Sequence, residues 1–407
     1  MGAPDARLRA LAIYPRIELL KDQFNEAWQQ CRKLDSVIGA GGGRNIRIGA
    51  LFGDTIESLA TAKYTDKAYH SFDYLKCATP NCLGKMRWNK ADFDRDIERL
   101  ECSQCHQEVT SEQVSLTRES MKKVPPDILF TTTEMLNQKM SESYYRHLFG
   151  FRSKHPVPLV LLDEVHTYSG ESGANTAFLL RRWMKLAKMS PHFVGLSATL
   201  VEAERFFARL TGSEEYNTKL IEPMVDEMME EGSEYLLALR GDAVSQTALL
   251  STTIQAAMLA ARLQDPLIGG KSKGSWGAKT FVFCDNLDIV NRLYYQLYDA
   301  EGWKLLNGRP SPKSTSSLVT LRNASMGHES RSKLDRYGQD WQVAQDIGYS
   351  LDANDRARVA RTSGQDGGVD DNAQIIVATS KLEVGFNDPY VGTVIQHKAP
   401  RNIASYL

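Results

Sequence analysis

Long apolar runs are missing from this sequence. No stretch of its 407 residues approaches the roughly 18 to 20 consecutive apolar residues of a membrane helix, and residues 1–20 lack the apolar centre of a secretion signal. An excess of one charge is missing too. Forty-nine Lys and Arg face 50 Asp and Glu for a formal net charge of −1, which excludes a uniformly basic nucleic-acid coat and an acidic disordered tail, though not a local basic groove. Cysteine is sparse, six in all, and four of them fall within the 29 residues from Cys77 to Cys105, which is the wrong distribution for a secreted disulfide scaffold. These absences predict a soluble, cytoplasmic protein with no membrane partner. The length predicts two or three domains with sizeable cores.

Short β-branched or apolar runs alternate with helical patterns, the mark of an α/β fold with parallel sheets. Predicted strands are 11–14, 46–51, 127–130, 159–162 and 193–196, followed by 280–283, 374–377 and 391–395. Helical patterns cover 18–33, 175–189, 251–263 and 288–300. Between the two sets lies an acidic segment, residues 214–242, with nine acidic and two basic residues, and the first domain is expected to end near residue 225. Residues 226–279 then read as linker, 280–407 as a second domain, and two segments, 70–112 and 303–372, read as inserts that interrupt the α/β rhythm.

The run Leu159-Val160-Leu161-Leu162-Asp163-Glu164-Val165-His166 places two carboxylates and a histidine at the end of an apolar strand. At the carboxyl end of a parallel strand such groups project into the ligand crevice. One carboxylate there can hold Mg²⁺ against phosphate oxygens while the other polarises an attacking water. Thirty residues on, Phe193-Val194-Gly195-Leu196 runs into Ser197-Ala198-Thr199, two hydroxyls able to relay hydrogen bonds from that cluster. Either group alone also fits a solvated strand end or a simple turn.

In this order and spacing the chain resembles superfamily 2 helicases of the DEAD/DEAH type. Ala12 to Gln23 is similar to motif Ia, with Arg16 where the family usually has Thr, and Gly53-Asp54-Thr55 is similar to the Gly-Asp element that follows. Thr131-Thr132-Thr133-Glu134-Met135-Leu136 resembles motif Ib, Val282-Phe283-Cys284-Asp285 motif IV, and Ala378-Thr379-Ser380 through Asp388-Pro389 motif V, with Asn387 where Asp is commoner. Motif V, the Val394 to Arg401 tail and the cysteine segment look most like the bacterial helicases of DISARM-type defence systems and their relatives in 7-deazaguanine DNA-modification clusters.

The resemblance implies two RecA-like parallel-sheet lobes, nucleic acid along the top of both and ATP in the cleft between them. It assigns Asp163 to Mg²⁺, Glu164 to the attacking water, and His166, Ser197 and Thr199 to coupling hydrolysis with lobe movement. Gly385 is implied beside the nucleotide; Arg16, Gly53, Thr131, Glu134 and Thr379 along the nucleic acid. DNA is expected over RNA, with other subunits of a defence or modification complex as partners. Motif I, the Gly-x-x-x-x-Gly-Lys-[Ser/Thr] loop, and motif VI with its arginine finger are not among these residues. Gly270-Lys271-Ser272 is a decoy, since Asp265 stands where the first glycine of that loop belongs, and it reads as a flexible linker. The expectation is the middle of a longer helicase, inactive alone. The competing readings are an RNA helicase and a non-catalytic nucleic-acid-binding scaffold.

Cys77-x₄-Cys82-x₁₉-Cys102-x₂-Cys105 supplies two chelating pairs about 20 residues apart, the pattern of a closed four-thiolate Zn²⁺ site in a ribbon inserted within the first lobe. His70 and His106 lie close enough to replace a ligand. Lys76, Lys85, Arg87, Trp88 and Lys90 around it mix basic and aromatic groups, which suits either phosphate contacts with base stacking or a solvated face over one core tryptophan.

Overall fold

The computed structural model describes residues 6–64, 68–151, 155–197, 200–229, 234–239, 249–306, 309–313, 318–322, 341–352, 355–362, 370–379 and 388–398. The chain separates into two compact units that meet in sequence at Val225 and Asp226.

The strands of the first unit are β1 (Ala10–Tyr14), β2 (Ile48–Leu51), β3 (Tyr69–Lys76), β4 (Lys85–Asn89), β5 (Arg99–Cys102), β6 (Glu108–Thr110), β7 (Val114–Ser115), β8 (Ile128–Thr132), β9 (Leu159–Leu162) and β10 (His192–Gly195). Six of them form one parallel sheet in the order β10-β9-β1-β8-β2-β7. Its interior strands are continuous apolar runs because helices cover both faces. In β1 the five residues Ala10 to Tyr14 are all buried. The 24-residue helix α1 (Ile17–Ala40) carries Leu20, Phe24 and Trp28 inward, and helix Gly170–Ala187 brings Leu180 and Trp183 to the core. Each buried methylene contributes roughly 0.8 kcal/mol, so these large side chains dominate the unit's stability.

β3 to β6 form a separate antiparallel sheet in that order, spanning the segment read as an insert. One face closes on Trp88, Phe93 and His70, whose rings stand 5.2 to 6.0 Å apart. Trp88 is fully buried and donates its indole N–H to the Ile97 carbonyl at 2.8 Å. It is a core tryptophan, which removes it as a stacking platform for a base.

The second unit holds β11 (Leu267–Ile268), β12 (Lys271–Ser272), β13 (Lys279–Cys284), β14 (Trp303–Leu306), β15 (Arg309–Pro312), β16 (Val359–Thr362), β17 (Ile375–Thr379) and β18 (Val391–Gln396). Four of these make a parallel sheet, β16-β17-β13-β18. Three expectations change here. Helix Leu249–Ala260, inside the supposed linker, packs Ile254, Ala257 and Met258 into this unit's core. The supposed insert 303–372 supplies the sheet strand β16 and the core residues Val319, Trp341 and Leu351, so that part of it is integral to the fold. Gly270-Lys271-Ser272 belongs to a tight β11–β12 hairpin, turned by Gly269 and Gly270 at φ +60° and +77°. Polar sequence hid the strand and the hairpin, because short strands and turns carry little periodicity of their own, whereas the helical pattern of 251–263 was legible and only its place in the core was not.

No helix among the described residues is long and apolar enough to cross a membrane.

Candidate functional site

All six strands of the first sheet run the same way, so the loops after them open on one edge. The edge carries Ser197 after β10, Asp163 and Glu164 after β9, Arg16 after β1, Glu134 after β8 and Gly53 after β2. β1 lies between β9 and β8, to which the chain returns only after more than a hundred residues. That is a reversal of strand order of the kind at which open α/β sheets bind ligands.

The loop leaving β9 is built tightly. The Asp163 amide continues the ladder to the Ile13 carbonyl at 3.2 Å. Glu164 takes φ +48°, ψ +51°, a left-handed conformation costing a side-chain-bearing residue roughly 1–2 kcal/mol. Its amide donates to Asp163 Oδ1 at 2.9 Å and its carbonyl accepts the Thr167 hydroxyl at 2.7 Å. Strain of this kind persists where surrounding bonds over-determine the backbone. Two further bonds, Val165 N–H to the Leu196 carbonyl and Leu196 N–H to that of Leu162, both 2.9 Å, stitch this loop to the one after β10. Ser197 is thereby carried to His166, with Oγ 3.1 Å from Nδ1, and the same nitrogen lies 3.3 Å from Glu164 Oε2.

The electrostatics follow from two carboxyls sharing a half-buried corner. Burial pushes Asp163 above the ordinary carboxylate range, against the pull of the Glu164 amide and His166. Glu164 is pushed up by burial and then by the charge of Asp163, and eased by His166 and Arg16. A carboxyl whose proton affinity is raised is a better base once ionised, which suits it to take a proton from water. Two phenols that the sequence did not single out close the corner. Tyr14 and Tyr168 are both raised mainly by burial and also by Asp163, and the Tyr168 hydroxyl is buried without a hydrogen-bond partner among the described residues. Tyr168 sits two residues past His166, so its position could have been noticed; Tyr14 reads only as a strand residue.

The remaining expected residues divide. Arg16 is half-buried at the N-terminus of α1, Glu134 is exposed in the first turn of helix Thr133–Ser141, and Gly53 is exposed. Thr131 is fully buried and its hydroxyl is spent on the Leu51 carbonyl at 2.9 Å, so it braces β8 against β2 and does not face the edge. Thr379 ends β17 in the second unit, with a buried hydroxyl that has no partner among the described residues. Thr199 and Gly385 lie outside the described residues.

The four cysteines expected as ligands do converge. Their Sγ atoms all lie within 4.8 Å of one another, Cys77 to Cys105 at 3.5 Å and Cys82 to Cys102 at 3.6 Å. A tetrahedral Zn²⁺ with Zn–S near 2.3 Å implies S···S separations of about 3.8 Å, so the donor set fits that ion. Backbone amides of Thr79, Gly84 and Gln104 each point at a sulfur at 3.4 Å, as they would toward thiolates. At Gly84 a Cβ would stand 2.3 Å from Cys102 Sγ, so only glycine passes behind the cluster. His70 instead bonds the Ala62 carbonyl and His106 the Glu101 carboxylate, which leaves four thiols as the group that converges.

No family model matches the chain. It is 24% identical over 314 residues to the Lhr helicase/uracil glycosylase of Escherichia coli, covering 73% of this chain and 18% of that protein. It is 32% identical over 99 residues to the ATP-dependent helicase hrq1 of Schizosaccharomyces pombe, covering 23% of this chain and 9% of that one. Both of these relatives are helicases by name, and the chain is similar to each over the stated part. Among solved structures, Mycobacterium smegmatis helicase Lhr bound to ssDNA and AMP-PNP is similar over 100% of this chain and 38% of its own, with TM-score 0.50 and 16% identity. That likeness concerns the fold, in which the chain has RecA-like α/β units with parallel sheets. The chain spans less than a fifth of the curated relatives just named.

Proposed function

We propose that the chain is the acid-carrying and nucleic-acid-gripping part of an ATP-dependent DNA helicase or translocase. The observation that carries this reading is the alignment of Ser197, Asp163, Glu164, Arg16, Gly53 and Glu134 along one carboxyl edge of a parallel sheet. Nucleotide with Mg²⁺ would supply the γ-phosphate; on this chain Asp163 would hold the ion, and Glu164 would accept the proton of the attacking water. His166, between Glu164 and Ser197, would sense that proton and pass the change to the loop after β10. Arg16 would take a backbone phosphate and Gly53 would let the strand approach the main chain. Such contacts are sequence-independent and salt-sensitive. The preference for DNA rests on the ssDNA carried by the Mycobacterium Lhr structure. Zn²⁺ held by Cys77, Cys82, Cys102 and Cys105 would be structural, in a cytoplasm that keeps thiols reduced. The motif V sequence around Leu382 to Gly385 and the cysteine ribbon support the finer reading of a defence-system or DNA-modification helicase working with other subunits.

The test is nucleotide hydrolysis with and without single-stranded DNA, on this chain and on a form that also carries motifs I and VI. Hydrolysis in the second form alone, stimulated by DNA, supports the motor. A form complete in these motifs that binds DNA yet hydrolyses nothing favours the scaffold.

A further inference from the structure

We infer that Arg118, which belongs to none of the recognised motifs, positions the Gly53 turn to receive nucleic acid. The inference rests on the reading of the carboxyl edge given above. Arg118 opens the helix Arg118–Lys123 that follows β7, and reaches back 65 residues in sequence to the loop after β2. One guanidinium nitrogen, Nη2, donates to both the Phe52 and Gly53 carbonyls, at 3.1 and 2.8 Å. The other, Nη1, pairs with Glu57 at 3.2 Å, and the side chain is only 14% exposed. Glu57 is itself held by Lys122 at 3.6 Å and by the Tyr145 hydroxyl at 3.3 Å, so the guanidinium is fixed from behind. The turn is also braced from within, since the Phe52 amide meets Thr55 Oγ1 at 3.0 Å and the Thr55 amide the Phe52 carbonyl at 3.1 Å.

With both carbonyls taken by Arg118 and the Asp54 carboxylate paired with Lys21 at 3.7 Å, the amides of Gly53 and Asp54 are the backbone donors the turn has left over; neither donates to another described residue. Gly53 itself needs an explanation. Its φ lies outside the left-handed region and a Cβ there would meet nothing within 4 Å, so neither backbone conformation nor packing of this chain calls for glycine. A close approach from outside does. A guanidinium whose Nη2 bonds two successive carbonyls from behind, with Nη1 anchored on Glu57, orients the peptides whose amides would meet an incoming phosphate, without itself touching it. Arg118 is therefore a positioning residue that acts through Gly53 and Asp54.

The experiment is fluorescence anisotropy of a labelled single-stranded DNA on the 407-residue chain across a KCl series. Four variants are compared with the wild type: Arg118→Met, Arg118→Lys, Gly53→Val, and Arg118→Met combined with Gly53→Val. Arg118→Met and Gly53→Val are each expected to weaken binding about tenfold, and the double variant little more than either alone, because coupled residues are non-additive. The slope of log affinity against log salt should stay as in the wild type. An arginine that contacted phosphate directly would lower it by about 0.7. Arg118→Lys keeps the charge but loses the fork and should lose about threefold; it also serves if the methionine variant does not fold. Undiminished binding by Arg118→Lys and Arg118→Met, additive losses in the double variant, or a reduced salt slope each overturns the role given to Arg118. A wild-type chain without salt-dependent binding instead overturns the reading of the edge.

Discussion

Asp163 with Glu164 in the first unit, and Arg262 with Glu301 in the second, are both pairs of charged side chains withdrawn from water, built on opposite terms. Arg262 and Glu301 are 2% and 0% exposed, bonded at 2.8 and 2.7 Å through both guanidinium nitrogens and both carboxylate oxygens. The Met258 and Asp355 carbonyls and the Ala357 amide take up further capacity of the pair. Burial works against the arginine's charge, and the bonds and charge of Glu301 more than restore it. The acids of the first unit have like charges for neighbours, a strained backbone at Glu164 and raised proton affinities. The difference separates a pair that fixes a fold from a pair held in readiness: the first is satisfied inside the protein, while the second has capacity left for something from outside.

The sharpest break of this comparison is Glu164→Gln. In a form able to hydrolyse nucleotide it should lower the turnover number by about 10²–10⁴-fold, the range of a general base, while DNA affinity stays near wild type. Steady-state hydrolysis and DNA binding on one preparation check both halves. Glu301→Gln is the counterpart: it leaves a buried guanidinium without its counter-charge and should cost about 3–5 kcal/mol of the second unit's stability in urea titration, the first unit being spared. Cys102→Ser with Cys105→Ser should take bound zinc from about one equivalent to none. It should also speed amide exchange at Leu100 and Val109, with the parallel sheet's exchange unchanged. Metal analysis of reduced wild-type protein finding no zinc would sink that assignment.

The smallest effect concerns pH. Asp163 and Glu164 both keep protons to higher pH folded than unfolded, so they favour the fold most below their unfolded values near 4. That contribution is lost as pH rises through the raised folded values. Asp163→Asn should therefore raise first-unit stability at neutral pH by under about 1 kcal/mol, and the gain over wild type should vanish toward pH 4. A gain independent of pH would point to packing instead.

What could be read from the sequence was whatever is local. Asp163, Glu164 and His166 are consecutive or nearly so, and the cysteines pair at short spacing, so their chemistry shows in the string of residues. The parallel strands showed as apolar runs because both faces are covered. Arg118 did not show, since its partners lie 61 to 66 residues away. Arg262 and Glu301, 39 residues apart, were equally hidden. Thr131 misled because its chemistry suits nucleic acid while β8 is covered on both faces, and Trp88, left open between a stacking and a core role, falls on the buried side of β4 by strand alternation. The linker reading of 226–279 included a helical pattern at 251–263, and what it missed is that helix Leu249–Ala260 packs into the core of the second unit.

The strand order has one more consequence, in time. Among the strands described, β1 is made before its two neighbours in the sheet, β8 and β9, whose last residues come 118 and 148 positions after Tyr14. At synthesis rates of about 5–20 residues per second, Ala10 to Tyr14 wait on the order of 10–30 s for both neighbours. Throughout that interval five residues that end up buried, and the apolar face of α1 behind them, lack the two strands that will flank them. These residues are therefore exposed to aggregation until residue 162 has emerged, and slowing synthesis between β2 and β9 should cut the soluble yield more than slowing it after β10.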